Sequence, residues 1–460
     1  MRILDTLTGK KVGIKKTAKP LKLFVCGPTV YDYPHIGNAR VFVFFDIFVR
    51  YLKSLGWKIF YLQNITDIND KIIDRAKRDG MRWSEVSIKF EKIYHKNEES
   101  LGINSVTKYA RATDYIPQII KQLKALINKE YAYKIERDGY YFDVSKFKDY
   151  GKLSKRNYLS AEDATSRIDE SIKKRNKGDF CLWKFSKAGE PSWDSDFGNG
   201  MPGWHIEDTA ITEYHFGPQY DIHGGAVDLK FPHHEAEIAQ QEAASGKKPL
   251  VKIWMHPGFL LVDGKKMSKS LGNFITIDDF LKTHSADVFR YIVLSHYYRS
   301  PIDYSDKLAN QSKNSLHNLQ NFILKLGMLK TNGNVSKKIK NAILLSSKKY
   351  AKAIDDDFNT PLALSEIFTL IKNTEKIIWK MNAKESQLVR DFILKNLGIL
   401  GINIEKSIRI PQKIKDLTKA RELLRGNEQF VQSDVLRQKI NELGYNVEDT
   451  PLGQLVTRKS

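Results

Sequence analysis

Leu21-Lys22-Leu23-Phe24-Val25-Cys26-Gly27-Pro28 is a short apolar run closed by a breaker pair. It reads as a buried strand. Next comes Pro34-His35-Ile36-Gly37-Asn38, a small glycine-bearing turn with a histidine. Arg40 to Leu55 follows, apolar on most faces and stopped at Gly56, and reads as a helix. Lys58-Ile59-Phe60-Tyr61-Leu62-Gln63-Asn64-Ile65 reads as a second strand. Strand, helix and strand in this order make a βαβ unit, which requires a parallel sheet with a right-handed crossover. Ligands of such sheets sit beyond the carboxyl ends of the strands, where Cys26 and His35 fall.

Working outward, residues 70–135 read as helices with charged faces. Residues 139–203 are rich in Gly, Lys, Asp and Ser, with aromatic runs such as Tyr140-Tyr141-Phe142 and Phe180-Cys181-Leu182-Trp183. They read as an insertion of loops and short strands. Asp221-Ile222-His223 ends a further strand, and Phe231 to Ala244 reads as a helix entered through Pro232. Ile253 to Asp263 leads into a loop from Gly264 to Gly272 that carries Lys265, Lys266 and Lys269. Beyond about residue 305, Lys307–Leu329, Lys337–Ile354 and Pro361–Lys380 have helical period and suggest a bundle. From Pro411 two more helices and an extended end, Tyr445 to Val447, are expected. The expected fold is α/β. It has a Rossmann-like parallel-sheet catalytic domain over 1–304 with an insertion at about 110–203. A helical bundle over 305–404 and a small C-terminal region over 405–460 follow.

The chain has 460 residues, 41% apolar, with 75 basic against 54 acidic residues and a formal charge of +21. That length supports several domains and a large core. The positive excess favours a polyanionic partner such as a nucleic acid, although lysine also spreads over ordinary helix faces here. Two cysteines, Cys26 and Cys181, exclude a disulfide scaffold. Met1 to Lys16 is basic without an apolar stretch, so no signal peptide is expected. Val41 to Leu52 is too short to span a bilayer. A cytoplasmic protein without membrane attachment is the expectation.

Two constellations carry chemistry. The histidine turn and the lysine loop together suit gripping a nucleoside triphosphate while its α-phosphate is attacked. His233-His234-Glu235-Ala236-Glu237 places His233 and Glu237 four apart, on one helix face. That pair is either half of a zinc site or an acidic helix start. Cys26 is either a third ligand or a small core residue. Trp204-His205-Ile206-Glu207-Asp208 offers further donors. Spacing alone does not bring these segments together.

The motifs, taken in order, resemble the cysteinyl-tRNA synthetases, a family of class I aminoacyl-tRNA synthetases. Phe24 to Asp32 and His35-Ile36-Gly37-Asn38 are similar to the family's opening. Asn64 to Lys71, Pro202 to Glu207, His223-Gly224-Gly225 with Asp228, Phe231 to Glu235, Lys266 to Ser270 and Asp355 to Pro361 also match. The resemblance runs from about residue 3 to the C-terminus. It implies ATP-dependent activation of L-cysteine and its transfer to the terminal adenosine of cysteine tRNA, with Mg²⁺ accompanying ATP. It implies catalytic and ATP-binding roles for His35, Asn38, Lys266 and Lys269, with Gly225 and Asp228 meeting the adenosine. It places Cys26, Thr66 and Trp204 around the amino acid, and Zn²⁺ on Cys26, Asp208, His233 and Glu237. Position 208 departs from the pattern, because the family has a cysteine there. Asn38 stands where a second histidine is often found. The last 50 residues would meet the anticodon, with Phe430 either an exposed aromatic or packed between the final helices. A monomer without an editing domain is expected.

Three other readings compete with this one. One is a relative of the same fold that couples cysteine to a small amine. It lacks the basic tail that this chain keeps. The second is a non-catalytic RNA-binding paralogue, disfavoured by the presence of His35, Lys266, Lys269, His233 and Glu237. The third is serine or metal-independent specificity, prompted by Asp208.

Overall fold

The structure is a computed structural model that describes residues 1–156, 173–268, 271–405 and 409–459. Lys269 and Ser270 of the lysine loop lie outside the described residues. Five strands form one parallel sheet: β1 (Leu21–Val25), β2 (Ile59–Ile65), β3 (Lys108–Arg111), β4 (Tyr220–Gly224) and β5 (Val251–Met255). Their order across the sheet is β5-β4-β1-β2-β3. Leu23 pairs with Tyr61 on one side and with Ile222 on the other. The strands are apolar along most of their length because helices cover both faces.

Between β1 and β2 runs α1 (Ile36–Ser54), whose Val43, Phe45, Phe48, Val49 and Leu52 are fully buried. The helix begins at Ile36, four residues before the apolar run, because His35 caps it. From β1 the chain builds outward to β2 and β3, then returns to lay β4 on the other side of β1. The gap between the carboxyl ends of β1 and β4 is thus a topological switch point, the expected place for a ligand. Cys26 follows β1 there, and its N–H donates to the carbonyl of Gly224 at 3.1 Å.

Close approach at this edge requires glycine. A Cβ on Gly27 would stand 1.8 Å from the carbonyl oxygen of Asn64. That oxygen is backbone at the end of β2 and cannot swing aside. Gly27→Ala is therefore expected to cost about 3 kcal/mol, the upper end for overpacking a core. A thermal melt within a degree of the parent would contradict this.

The segment read as helical holds α2 (Asp70–Asp79), α3 (Trp83–Ser100) and α4 (Ile116–Asn128), but also β3. β3 has four residues with charged ends. Only its pairing to β2, Leu62 opposite Lys108 and Ile65 opposite Arg111, reveals it. The insertion forms a four-stranded antiparallel sheet from Ala132–Ile135, Gly139–Phe142, Phe180–Phe185 and Gly200–Pro202. It leads into α5 (Ile206–Phe216), and β4 leads into α6 (His233–Ser245).

The chain divides into two compact units. The first is Met1–Thr283 with Tyr298–Asp303 and Asp356–Phe358. In that last piece Asp357 and Phe358 are left-handed, at φ 61° and 52°. Asp357 accepts hydrogen bonds from Leu4 N at 2.8 Å and Tyr298 OH at 3.0 Å. The Phe358 ring packs edge-on against Phe44, Phe48 and Tyr51. Asp357 and Phe358, from the middle of the Asp355–Pro361 motif, thus have a structural task in this unit.

The second unit holds the helices Asp306–Met328, Lys337–Asp355, Thr360–Glu375 and Ala383–Ile399 around Leu319, Ile323, Ile354, Ile367 and Ile393. Two further helices, Gln412–Gly426 and Phe430–Glu442, precede a hairpin of Tyr445–Thr450 with Gly453–Arg458. Only the first strand of that hairpin was expected from sequence. Arg421 is fully buried and joins helix to hairpin, bonding Asp449 at 2.6 and 2.8 Å and Gln454 at 2.7 Å. Phe430 is 53% exposed, so it does not pack between the last helices.

Candidate active site

His35 is the N-cap of α1. Its Nδ1 accepts from Gly37 N–H at 3.1 Å, while Asn38 Oδ1 accepts from His35 N–H at 3.3 Å. This reciprocal cap fixes the ring and its tautomer: with Nδ1 accepting, the proton sits on Nε2. Burial pushes the His35 pKa down to about 4. Asp228 opposes that shift and Lys266 adds to it. The imidazole is therefore neutral near pH 7. Gly37 leaves it room, since a Cβ there would stand 2.8 Å from the ring.

His35 lines a cavity of about 740 Å³ with Asn38, Asp228, Lys266 and Cys26. Lys266 Nζ lies 2.6 Å from Asp228 Oδ2, and both side chains are largely exposed, so the pair is weak and easily opened. The lysine loop starts as a two-residue hairpin turn, Asp263-Gly264, both left-handed at φ 51° and 71°. Gly264 therefore serves the turn. Ser268 N–H donates to Asn273 Oδ1 at 2.9 Å, which ties the loop's two arms.

Cys26, Asp208, His233 and Glu237 converge. Each offers a donor atom, all of these lie within 4.8 Å of one another, and all four residues are buried. Three separate segments supply them: the end of β1, the first turn of α5, and successive turns of α6. His233 Nε2 is 3.0 Å from both Asp208 Oδ2 and Glu237 Oε1. Glu235, between them in sequence, faces elsewhere and accepts from Gly151 N and Ser154 N. Trp204 stacks on His233 at 4.6 Å. Thr66 Oγ1 donates to Glu207, the neighbour of Asp208. Gly225 directly follows β4, close under His234, where a Cβ would meet the ring at 2.7 Å.

The electrostatics of this cluster call for a cation. Burial, then Glu237 and Asp208, push the Cys26 thiol well up. Burial and Asp208 likewise raise Glu237 and Glu207. Among the described residues no lysine or arginine pairs with any of the three carboxylates. Asp208 Oδ1 is buried without a hydrogen-bond partner. An orphaned carboxylate oxygen beside a thiol, an imidazole and a second carboxylate is the donor set of a divalent metal. The residues therefore fit the expected ion.

The sequence reading did not assign His223 and His234 here. Their Nε2 atoms stand 3.3 and 3.2 Å from Cys26 Sγ, and the two form a second candidate group with Cys26 and Glu237. His234 continues through His256, at 2.8 Å, to Thr6. Strand register carries the signal for His223: on β4 it pairs with Phe24, two residues before Cys26.

The family profile described as tRNA synthetases class I (C) catalytic domain matches residues 14–314, and a DALR domain profile matches residues 349–405. The chain is 39% identical to a cysteine--tRNA ligase of Thermococcus gammatolerans, covering 100% of this chain and 99% of that one. The chain belongs to the cysteine--tRNA ligase family. It is thus an aminoacyl-tRNA synthetase, a ligase. Other members are similarly alike: one from Thermoplasma volcanium is 42% identical, with 98% of each chain covered, and one from Clostridioides difficile is 40% identical. Methionyl-tRNA synthetase of Mycobacterium tuberculosis, solved with methionyl-adenylate, shares the fold at TM-score 0.62 and 15% identity, over 84% of this chain and 90% of that one. Among the described residues no helix is long and apolar enough to cross a membrane.

Proposed function

We propose that the chain activates L-cysteine with ATP and esterifies it to the terminal adenosine of cysteine tRNA, choosing the thiol with a zinc ion held by Cys26, Asp208, His233 and Glu237. The convergence of those four buried donors, beside the cavity that His35 and Lys266 line, carries this reading. The tRNA would meet the basic C-terminal half, and Mg²⁺ would accompany ATP. The protein would act as a cytoplasmic monomer.

The cysteine carboxylate attacks the α-phosphate, forming the mixed anhydride and releasing pyrophosphate. The hydroxyl of the terminal adenosine then attacks the acyl carbon and AMP leaves. Such chemistry needs positioning and charge neutralisation. His35 donates from Nε2–H to phosphate oxygen, and the start of α1 adds backbone donors. Lys266 leaves Asp228 to hold the outer phosphates, which frees Asp228 for the ribose, with Gly225 beside it. Lys269 acts with Lys266. Asn38 holds the cap that orients His35. Thr66 and Trp204 wall the amino-acid end.

Zinc at this site would supply a Lewis acid that favours sulfur over oxygen. Apolar pockets separate near-isosteres by only about 10²-fold. Asp208 keeps the charge of the family's thiolate but is harder, so the ion would be the stronger Lewis acid. Ligands that the protein holds protonated must release protons as the metal enters.

The test is cysteine-dependent pyrophosphate exchange followed by charging of cysteine tRNA, with serine as control. Exchange with cysteine alone is expected. Equal exchange with serine, or exchange without charging, defeats the reading. A pH profile checks the histidine. A neutral His35 with its pKa about 4 gives no limb between pH 5.5 and 8 in single-turnover adenylation, about where an ordinary histidine titrates. A limb near 6.5 that His35→Asn removes would contradict the assigned state.

A further inference from the structure

The catalytic cavity lies past the carboxyl ends of the strands. A second cavity, of about 270 Å³, lies at their opposite ends. Leu21 opens β1, Lys58 directly precedes β2, and Asp221 and Lys252 stand near the starts of β4 and β5. At about 3.3 Å per residue, Cys26 is roughly 16 Å from Leu21 along the direction of β1. The segment from Ile14 to Pro20 closes one side.

Ile14, Leu21 and Trp57 give this cavity apolar walls, and Lys15, Lys19 and Lys58 give it a cationic rim. Its one acid is already engaged. Asp221 takes Lys252 Nζ at 2.8 Å and Lys22 N–H at 2.9 Å. The carboxyl end of α1 also has its cation, since Lys16 Nζ donates to Leu55 O at 3.1 Å. Among the described residues no ion pair or hydrogen bond engages the ammonium groups of Lys15, Lys19 or Lys58. Three charges of one sign around an apolar, indole-walled recess raise the local positive potential.

Lysines act as point charges suited to phosphate, and an indole face accepts any nucleobase-like ring. The volume lies just under the range of about 300–1,000 Å³ common for ligand pockets, enough for one ring system with one phosphate. We propose that this recess is a second, non-catalytic site for a small aromatic phosphate monoester of nucleoside monophosphate size. Its ring lies against Trp57 and its phosphate among Lys15, Lys19 and Lys58.

AMP is the probe, titrated calorimetrically into the full chain after the catalytic cavity has been saturated with cysteinyl-sulfamoyl-adenosine. That first titration reports on the synthetase reading by itself. The variants locate the second site whether or not the analogue binds. One further equivalent of AMP is expected. Trp57→Ala, Lys19→Glu and Lys58→Glu should each weaken it at least about tenfold, with cysteine-dependent pyrophosphate exchange kept within about twofold. Lys19 and Lys58 are exposed, so their exchange leaves the fold intact. The proposal is overturned by no added binding up to about 5 mM AMP, or by an affinity that Lys19→Glu and Trp57→Ala leave unchanged. Inorganic phosphate binding as tightly as AMP also overturns it, because the aromatic wall would then contribute nothing.

Discussion

Cys26→Ala leaves the purified chain with less than about 0.2 zinc per molecule, and cuts cysteine-dependent pyrophosphate exchange by more than about 10²-fold. The magnitude follows from the donor set. Residues that merely support a metal ligand cost about 10–100-fold when removed. Cys26 is itself a donor and the only sulfur in the group. Without it, two carboxylates and an imidazole remain, a harder set that holds zinc less tightly. The folded chain should survive, because Cys26 sits at the end of β1, where its backbone makes the fold's hydrogen bond to Gly224. Metal analysis beside a circular dichroism melt separates metal loss from unfolding. A Cys26→Ala chain that keeps one zinc and full selection against serine would remove Cys26 from the site.

Lys269→Ala lowers single-turnover adenylation by at least about 10²-fold while ATP affinity changes little, the scale for losing one donor that acts in the transition state. The supporting geometry belongs to its partner in the loop. Lys266 is held by an exposed pair with Asp228 and lies over the Phe259 ring at 5.0 Å, so it can exchange that carboxylate for phosphate when ATP binds. A charge that engages mainly as the transferred phosphate develops its own charge shows in rate rather than in binding. A rate within about fivefold of the parent, at unchanged ATP affinity, would count against this role.

Much of the first unit was legible. β1, α1 and β2 announce themselves because buried parallel strands and their crossover helix need long apolar runs. β3 did not, because an edge strand of four residues has no such run and takes its conformation from β2. The second strand of the terminal hairpin escaped for the same reason: pairing across Thr450 and Gly453 defines it. His233 and Glu237 were legible because both lie on one helix, where spacing of four is a physical contact. His223 and His234 were not, because their relation to Cys26 runs between strands and through the mouth of a sheet.

By itself the sequence determined most elements and the residue types at hand: a histidine in a glycine-bearing turn, a lysine loop, and a thiol, an imidazole and carboxylates that could hold a metal. Only the tertiary structure decided that Cys26, Asp208, His233 and Glu237 meet at one point, and that His35 is neutral with its proton on Nε2. The reason is physical. Helical period and strand alternation are local and can be read along the chain. Burial, charge crowding and the meeting of Cys26 with donors more than 180 positions away exist only once the strand order has reversed and β4 lies beside β1.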